Sequence, residues 1–262
     1  MVSLICYIVT FFACVLGTIC GMGGGIIIKP ALDATGVMAV SVITFLSGCT
    51  VIAMSCWNVT QTLRRKESVL DLKNTPLLAL GAAVGGLMGK EIYHQVAGLF
   101  ADQNTAGGVQ AGLLFTATLA TLIYTCRKDK LKSKQIKNPV ISVVIGLLLG
   151  ILGAFLGIGG GPFNVAVLTY FFSMPTKKAT QNSLLIVLFS QTASTLKTIL
   201  SSGMPALDPI ILIGMVLLGI AGSEVGRRIN KRIDNRQATL CLEGAMLLIL
   251  AINVYNMVQF FT

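Results

Sequence analysis

Two stretches, GMGGGIIIKPAL at residues 21–32 and GIGGGPFNVAVL at 157–168, repeat one glycine-rich pattern 136 residues apart. Gly23, Gly24 and Gly25 precede one apolar run, and Gly159, Gly160 and Gly161 precede another. A helix that starts after such a cluster leaves its first N–H groups free and carries a partial positive charge there. Glycines lack a Cβ, so an anion can come close to those groups. Pro162 suits the first helical position, where its missing N–H costs nothing. Lys29 follows Gly25 by about one turn and adds a cation inside an apolar stretch, which makes it a candidate for function. The other reading is that the glycines let helices pack closely, as pairs such as Gly17/Gly21, Gly81/Gly85 and Gly146/Gly150 would. Two copies at matching places favour a site.

Further polar residues interrupt the apolar runs. Asn58 and Gln61 lie in the first half; Asn164, Asn182, Ser183, Ser190, Gln191 and Ser194 lie in the second. Ser190, Gln191 and Ser194 fall on neighbouring turns, suited to a central cavity or to interhelical hydrogen bonds. Asn182 fits either a helix cap or a ligand contact. Glu243 reads as an interfacial carboxylate, a proton carrier or the partner of a buried cation, Lys197 as a snorkelling side chain, and His94 as an incidental surface residue.

The elements that hold these residues follow from composition and charge. Hydrophobic residues make up 54% and charged residues 11%, against about 25% charged in soluble domains. Residues 2–20, 41–62, 76–89, 106–126, 139–157, 183–200, 209–222 and 238–261 are nearly charge-free. Several reach the roughly 20 residues of a bilayer-spanning helix. An all-α polytopic membrane protein is expected. The first run lacks a basic leader and is followed by further spans, so it reads as a span and not a cleaved signal.

Of 20 Lys and Arg, 17 fall in segments 63–75, 127–138, 177–178 and 223–237, and none in 34–40, 94–105 or 201–209. Short basic loops stay in the cytoplasm. Threading the chain under that rule requires a return through each glycine cluster. Each half then makes five passes, with half-helices or re-entrant arms over about 26–37 and 162–173. At 1.5 Å per residue these 12-residue arms reach about 18 Å, short of a bilayer core. An odd number of passes inverts one half relative to the other. The halves are expected at 1–131 and 132–262, one integral unit with both termini outside the cytoplasm. Inverted repeats with broken helices are a mark of secondary transporters. Eight plain spans with parallel repeats are the alternative.

Seven cysteines without a C-x-x-C pair suggest apolar packing, with no disulfide framework or metal site. One histidine excludes multi-histidine metal sites. VGGLMGKE near residue 90 lacks the first glycine and the final Ser/Thr of a phosphate-binding loop. Neither an enzyme nor a nucleic-acid binder is expected, and no cofactor. A non-transporting membrane scaffold would not need paired half-helices.

The paired G-x-G-G-G motifs, the segment KKATQNSLLIVLFS and the stretch GRRINKR resemble the sulfite exporter TauE/SafE family, also called toluene-sulfonate uptake permeases, over essentially the whole chain. The resemblance implies transport of sulfite, sulfonates, sulfoacetate or similar anions. The halves are not identical: Val165 stands where Lys29 stands in the first, and MAVSVITF is a loose counterpart of KKATQNS. An inside-negative potential, worth about 2.3 kcal/mol per charge at 100 mV, drives anion export without a coupled ion, whereas uptake needs protons or sodium. No dense carboxylate relay is visible, so export is expected. The partners are the lipid bilayer and a small anion; pairing into a homodimer stays open.

Overall fold

Asn138 before Pro139 and Asp208 before Pro209 open two helices alike: each side chain accepts the N–H of the second helical residue, and proline fills the first position. The computed structural model describes residues 2–36, 38–64, 70–98, 103–128, 133–136 and 138–261. Val37, Arg65, Lys66, Lys130, Lys132, Lys137 and segment 99–102 of the expectations above lie outside them. The described residues form helices α1 Val2–Cys20, α2 Gly25–Asp33, α3 Val40–Arg64, α4 Thr75–Ala97, α5 Gln103–Arg127, α6 Pro139–Phe155, α7 Gly161–Phe172, α8 Thr176–Ser202, α9 Pro209–Arg232 and α10 Asn235–Phe261. No strand occurs among them. Six helices, α1, α3, α5, α8, α9 and α10, are long and apolar enough to span a membrane; α6 is a shorter apolar helix. This is an all-α, multi-pass membrane architecture.

Three helices outrun their charge-free stretches, because their charged residues find partners. Glu91 of α4 pairs with Lys197 of α8 at 3.1 Å, so Lys197 does more than snorkel. Lys177, in the first turn of α8, donates to the carbonyls of Lys231 and Ile233 at the end of α9, as basic side chains do at helix C-termini. Glu224 of α9 binds both Arg227 and Arg228.

Cross-contacts fix the helix directions. Tyr7 bonds Ile210 at one end of α1 and Asn230 bonds Ile19 at the other, so α1 and α9 run parallel. Trp57–Glu224 and Thr50 against Gly219 align α3 with them. Thr75–Asn182 and Glu91–Lys197 make α4 parallel to α8. Gly81 against Val143 and Gly89 against Ile151 make α4 parallel to α6. Helices α5 and α10 are antiparallel, through Lys128–Thr239 and Gly112 beside Met257. Lys128 also reaches Thr176 at the start of α8. Thus α1, α3, α5 and α9 run one way, and α4, α6, α8 and α10 the other, which are the relative directions the basic segments call for. Three packing pairs recur five helices on: α4 on α6 as α9 on α1, α4 on α8 as α9 on α3, and α2 on α10 as α7 on α5.

Polar residues are buried beside an apolar core, and large apolar residues also face outward. Leu4, Ile8 and Phe12 line an exposed stripe on α1, and Val140, Val144, Leu148 and Leu152 line one on α6. These i, i+4 stripes suit lipid contact. The closest packing is glycine-mediated: a Cβ at Gly85 or Gly146 would strike the backbone of Leu147 or Leu78. Packing thus accounts for Gly81/Gly85 and Gly146/Gly150. The two clusters are close-packed as well: a Cβ at Gly21 would strike the Thr180 backbone, and one at Gly24 would stand 2.8 Å from Cys14 Sγ.

Candidate functional site

Each glycine cluster turns the chain between a long helix and a short one. Gly21 and Gly23 have φ of 68° and 67°, and Gly157, Gly159 and Gly160 have 71°, 75° and 104°. A side chain at these angles is strained. Gly17 and Gly153, again 136 residues apart, let each preceding helix press on the turn: a Cβ there would meet Gly24 N at 2.7 Å, or the Gly160 nitrogen.

The short helices meet head to head. A Cβ on Gly161 would stand 2.8 Å from Ile26, and one on Gly25 would stand 3.5 Å from the Ile158 carbonyl. Val187 of α8 packs on both Gly23 and Gly159. From this junction α2 runs toward the end where Asn256 bonds Pro30, and α7 toward the end where Ser173 bonds Ser133. Two positive helix ends therefore converge in the buried interior. Both N-caps, Gly24 and Gly160, lack a capping side chain. Ile27 and Ile28 donate to Gly24 O, and Gly24 N–H reaches Met54 Sδ at 3.2 Å. The N–H groups of Gly25 and Ile26, first in α2, have no preceding turn of helix to bond. Helix α2 is shorter than the expected 26–37. It ends at Asp33, where a turn through Gly36 (φ 61°) closes it.

The polar candidates fall into two groups. Asn164 sits on the first turn of α7, 1% exposed, with neither amide atom bonded. A Cβ on Gly160 would stand 2.7 Å from its Nδ2. Gln191 Oε1 lies beside Gly159. Asn58, one turn along α3 from Met54, is buried with Nδ2 unbonded. Ser183 belongs to the junction as a brace, donating to Gly21 O at 2.6 Å. Asn182 points elsewhere: it accepts from Asp71 N–H and Thr75 Oγ1 and donates to Lys178 O. It lies within α8, so it is not a helix cap but a tie between α8 and the segment entering α4.

Lys29 is buried, and its ammonium turns to Asp33 Oδ2 at 3.0 Å, one turn toward the end of α2 and away from the glycine turn. Its stem crosses Gly157. The sequence reading missed Asp33, although the i, i+4 spacing in KPALD carries the signal. It also missed Lys90, an 8%-exposed cation on α4 that lies over the Tyr93 ring at 5.4 Å and within electrostatic range of Lys29.

Among the described residues, two polar-lined cavities lie toward opposite ends of the helices. One of about 700 Å³ opens at the basic end, lined by Lys128, Thr169, Ser173, Thr176, Arg236 and Glu243. Glu243 thus borders a basic vestibule. The other, about 330 Å³, lies at the opposite end beside Lys90, Tyr93, His94 and Thr198. Cys6, Cys14 and Cys20 are buried packing residues, and all seven thiols are free.

The family model for Sulfite exporter TauE/SafE matches residues 6–254. A curated relative, the probable membrane transporter protein YunE of Bacillus subtilis (strain 168), is 21% identical, covering 89% of this chain and 90% of its own. No solved structure matches significantly.

Proposed function

The chain belongs to the sulfite exporter TauE/SafE family of membrane transporters, and on that premise we propose that it carries a small sulfur-containing or organic anion, of the sulfite, sulfonate or sulfoacetate kind, across the cytoplasmic membrane. The carrying observation is the head-to-head meeting of α2 and α7 at two glycine turns. The N–H groups of Gly25 and Ile26, the unbonded Nδ2 donors of Asn164 and Asn58, and the two helix dipoles form an anion-attracting centre, which Gln191 borders with its Oε1. Gly23, Gly24, Gly159, Gly160 and Gly161 keep the backbone open to it, Ser183 braces it, and Lys29 and Lys90 raise the local potential.

The mechanism is alternating access between halves 1–131 and 132–262, related as inverted repeats. Support comes from the antiparallel course of the counterpart helices α3/α8 and α5/α10, and from the three packing pairs that recur five helices on. The 136-residue offset also relates Ser47 to Ser183 and Val51 to Val187, and these pack on the turns. Tilting one half about the junction closes the vestibule at one end and opens the other. With the basic segments in the cytoplasm, both termini face outward. The membrane potential then expels the anion. A second reading, cation-coupled uptake, is favoured by one observation, the unbonded acceptor oxygens around Asp33.

Purified protein in lipid nanodiscs, titrated with sulfite, thiosulfate, sulfonates and carboxylates, tests the substrate class. Saturable stabilisation by sulfur oxyanions or sulfonates and not by simple carboxylates supports it. Indifference to every anion refutes it.

A further inference from the structure

Between α2, α5, α6 and α10 lies a second cluster. A buried cavity of about 10 Å³, room for one water-sized sphere, is lined by Lys29, Asp33, Gln110, Asn253 and Asn256 among apolar neighbours. Three oxygens on its lining residues have no hydrogen-bond donor: Asp33 Oδ1, Gln110 Oε1 and Asn256 Oδ1. Asp33, Gln110 and Asn256 are 8%, 4% and 2% exposed.

Their orientation is forced. Gln110 Nε2 donates to Phe155 O at 2.6 Å and Asn256 Nδ2 donates to Pro30 O at 2.9 Å. Flipping either amide would set oxygen against a carbonyl. Lys29 occupies Asp33 Oδ2 at 3.0 Å, which leaves Oδ1. Leaving three buried acceptors unpaired is costly. One water has two hydrogens and can serve two of them. A cation can serve all three.

The geometry points to a binding site for one small monovalent cation, sodium or a hydrated proton, held by Asp33 Oδ1, Gln110 Oε1 and Asn256 Oδ1. The C-terminal end of α2 adds its negative partial charge. Anion and cation would then sit at opposite ends of one half-helix. The charged and titratable groups around the site set its strength. Lys29 shares the carboxylate from α2 itself. From α4, Lys90 lies within electrostatic range of Lys29 and Tyr93 within range of Asp33, with His94 in range of Lys90. The two lysines oppose the cation until an anion reaches the junction, so each ion should favour the other. That coupling rests on the transport reading above; cation binding itself does not.

The test is thermal unfolding in nanodiscs, titrating sodium chloride against choline chloride at constant ionic strength, then titrating pH without sodium. Anion binding is read in parallel. Saturable stabilisation by sodium identifies the ion as sodium, and stabilisation by acid alone identifies a proton; Asp33→Asn should remove either. Asn256→Leu should weaken it at least tenfold. Lys90→Met keeps all three acceptors and removes an opposing charge, so it should tighten cation binding, a gain that a packing role for the cluster does not produce. Wild-type protein that binds anion but ignores both sodium and acid overturns the site, because the acceptors then hold water only. Loss of anion response alone tells against the transport reading and leaves the cation site standing.

Discussion

Removing Lys29 should damage the protein, and removing Asp33 with it should repair much of the damage. The two side chains are 7% and 3% exposed and 3.0 Å apart, so solvent does little to screen either charge. Deleting one partner of such a pair leaves a bare buried charge, a cost of about 3–5 kcal/mol. Replacing both with neutral groups of similar shape is often close to neutral. Lys29→Met keeps the apolar stem, and Asp33→Asn keeps the outline of the acid. Each single variant should lower the unfolding midpoint by about 6 °C or more, taking roughly 2 °C per kcal/mol for a chain of this size. The double variant should recover most of that. Unfolding can be followed by the fluorescence of Trp57, the chain's one tryptophan. The double variant also separates two duties of Lys29. Stability returns, while anion affinity stays at least tenfold below wild type, about 1.4 kcal/mol, because the charge near the junction is gone. Additive losses in the cycle would show that the pair is not coupled. Single variants as stable as wild type would refute the burial reasoning outright.

Other perturbations follow from the same geometry. In a background without native cysteines, reporter cysteines at Thr35 and Ala206 should label from outside intact cells, and those at Ser133 and Asn235 only after permeabilisation; outside labelling of Ser133 would break the inverted topology. Gly24→Val and Gly160→Val should abolish anion binding while folded protein remains detectable by size-exclusion chromatography, since a Cβ at Gly160 strikes the Asn164 amide; normal binding by both would reduce the glycines to packing. Burial pushes the Asp71 carboxyl up, but donation from Asn74 and the Lys73 N–H, with Lys178 nearby, outweighs it and holds the group below its ordinary value of 3.8. A depressed folded pKa gives stability that is present above 3.8 and lost as pH falls through the lower folded value. The melting difference between wild type and Asp71→Asn should therefore be full at pH 7 and vanish in strong acid; a difference unchanged at low pH would contradict it.

The sequence announced the long helices because a lipid-facing helix must be apolar along about 20 residues, and stripes such as Leu4–Ile8–Phe12 carry that demand openly. It announced the two turns because positive φ selects glycine. Charge placement gave the relative helix directions. Helix ends were less legible: KKATQN reads as loop until Lys177 is seen capping α9, and Lys90–Glu91 reads as a stop until Lys197 is seen answering Glu91. The partner of Lys29 lies four residues on, at helical i, i+4 spacing, but spacing alone does not separate a lysine paired within its helix from one that meets a ligand. Gln110 and Asn256 could not be linked from sequence. Their importance lies in which amide end a distant carbonyl consumes, a property of three-dimensional packing.

The most direct measurement of anion transport through the glycine junction is flux in proteoliposomes. Vesicles loaded with labelled sulfite or a sulfonate, under an imposed potential, should lose the anion from the negative side with saturable kinetics. Vesicles carrying Gly160→Val should lose it no faster than protein-free liposomes. Wild-type flux equal to that of empty liposomes for every anion in the panel, or full flux through Gly160→Val, would contradict the central claim.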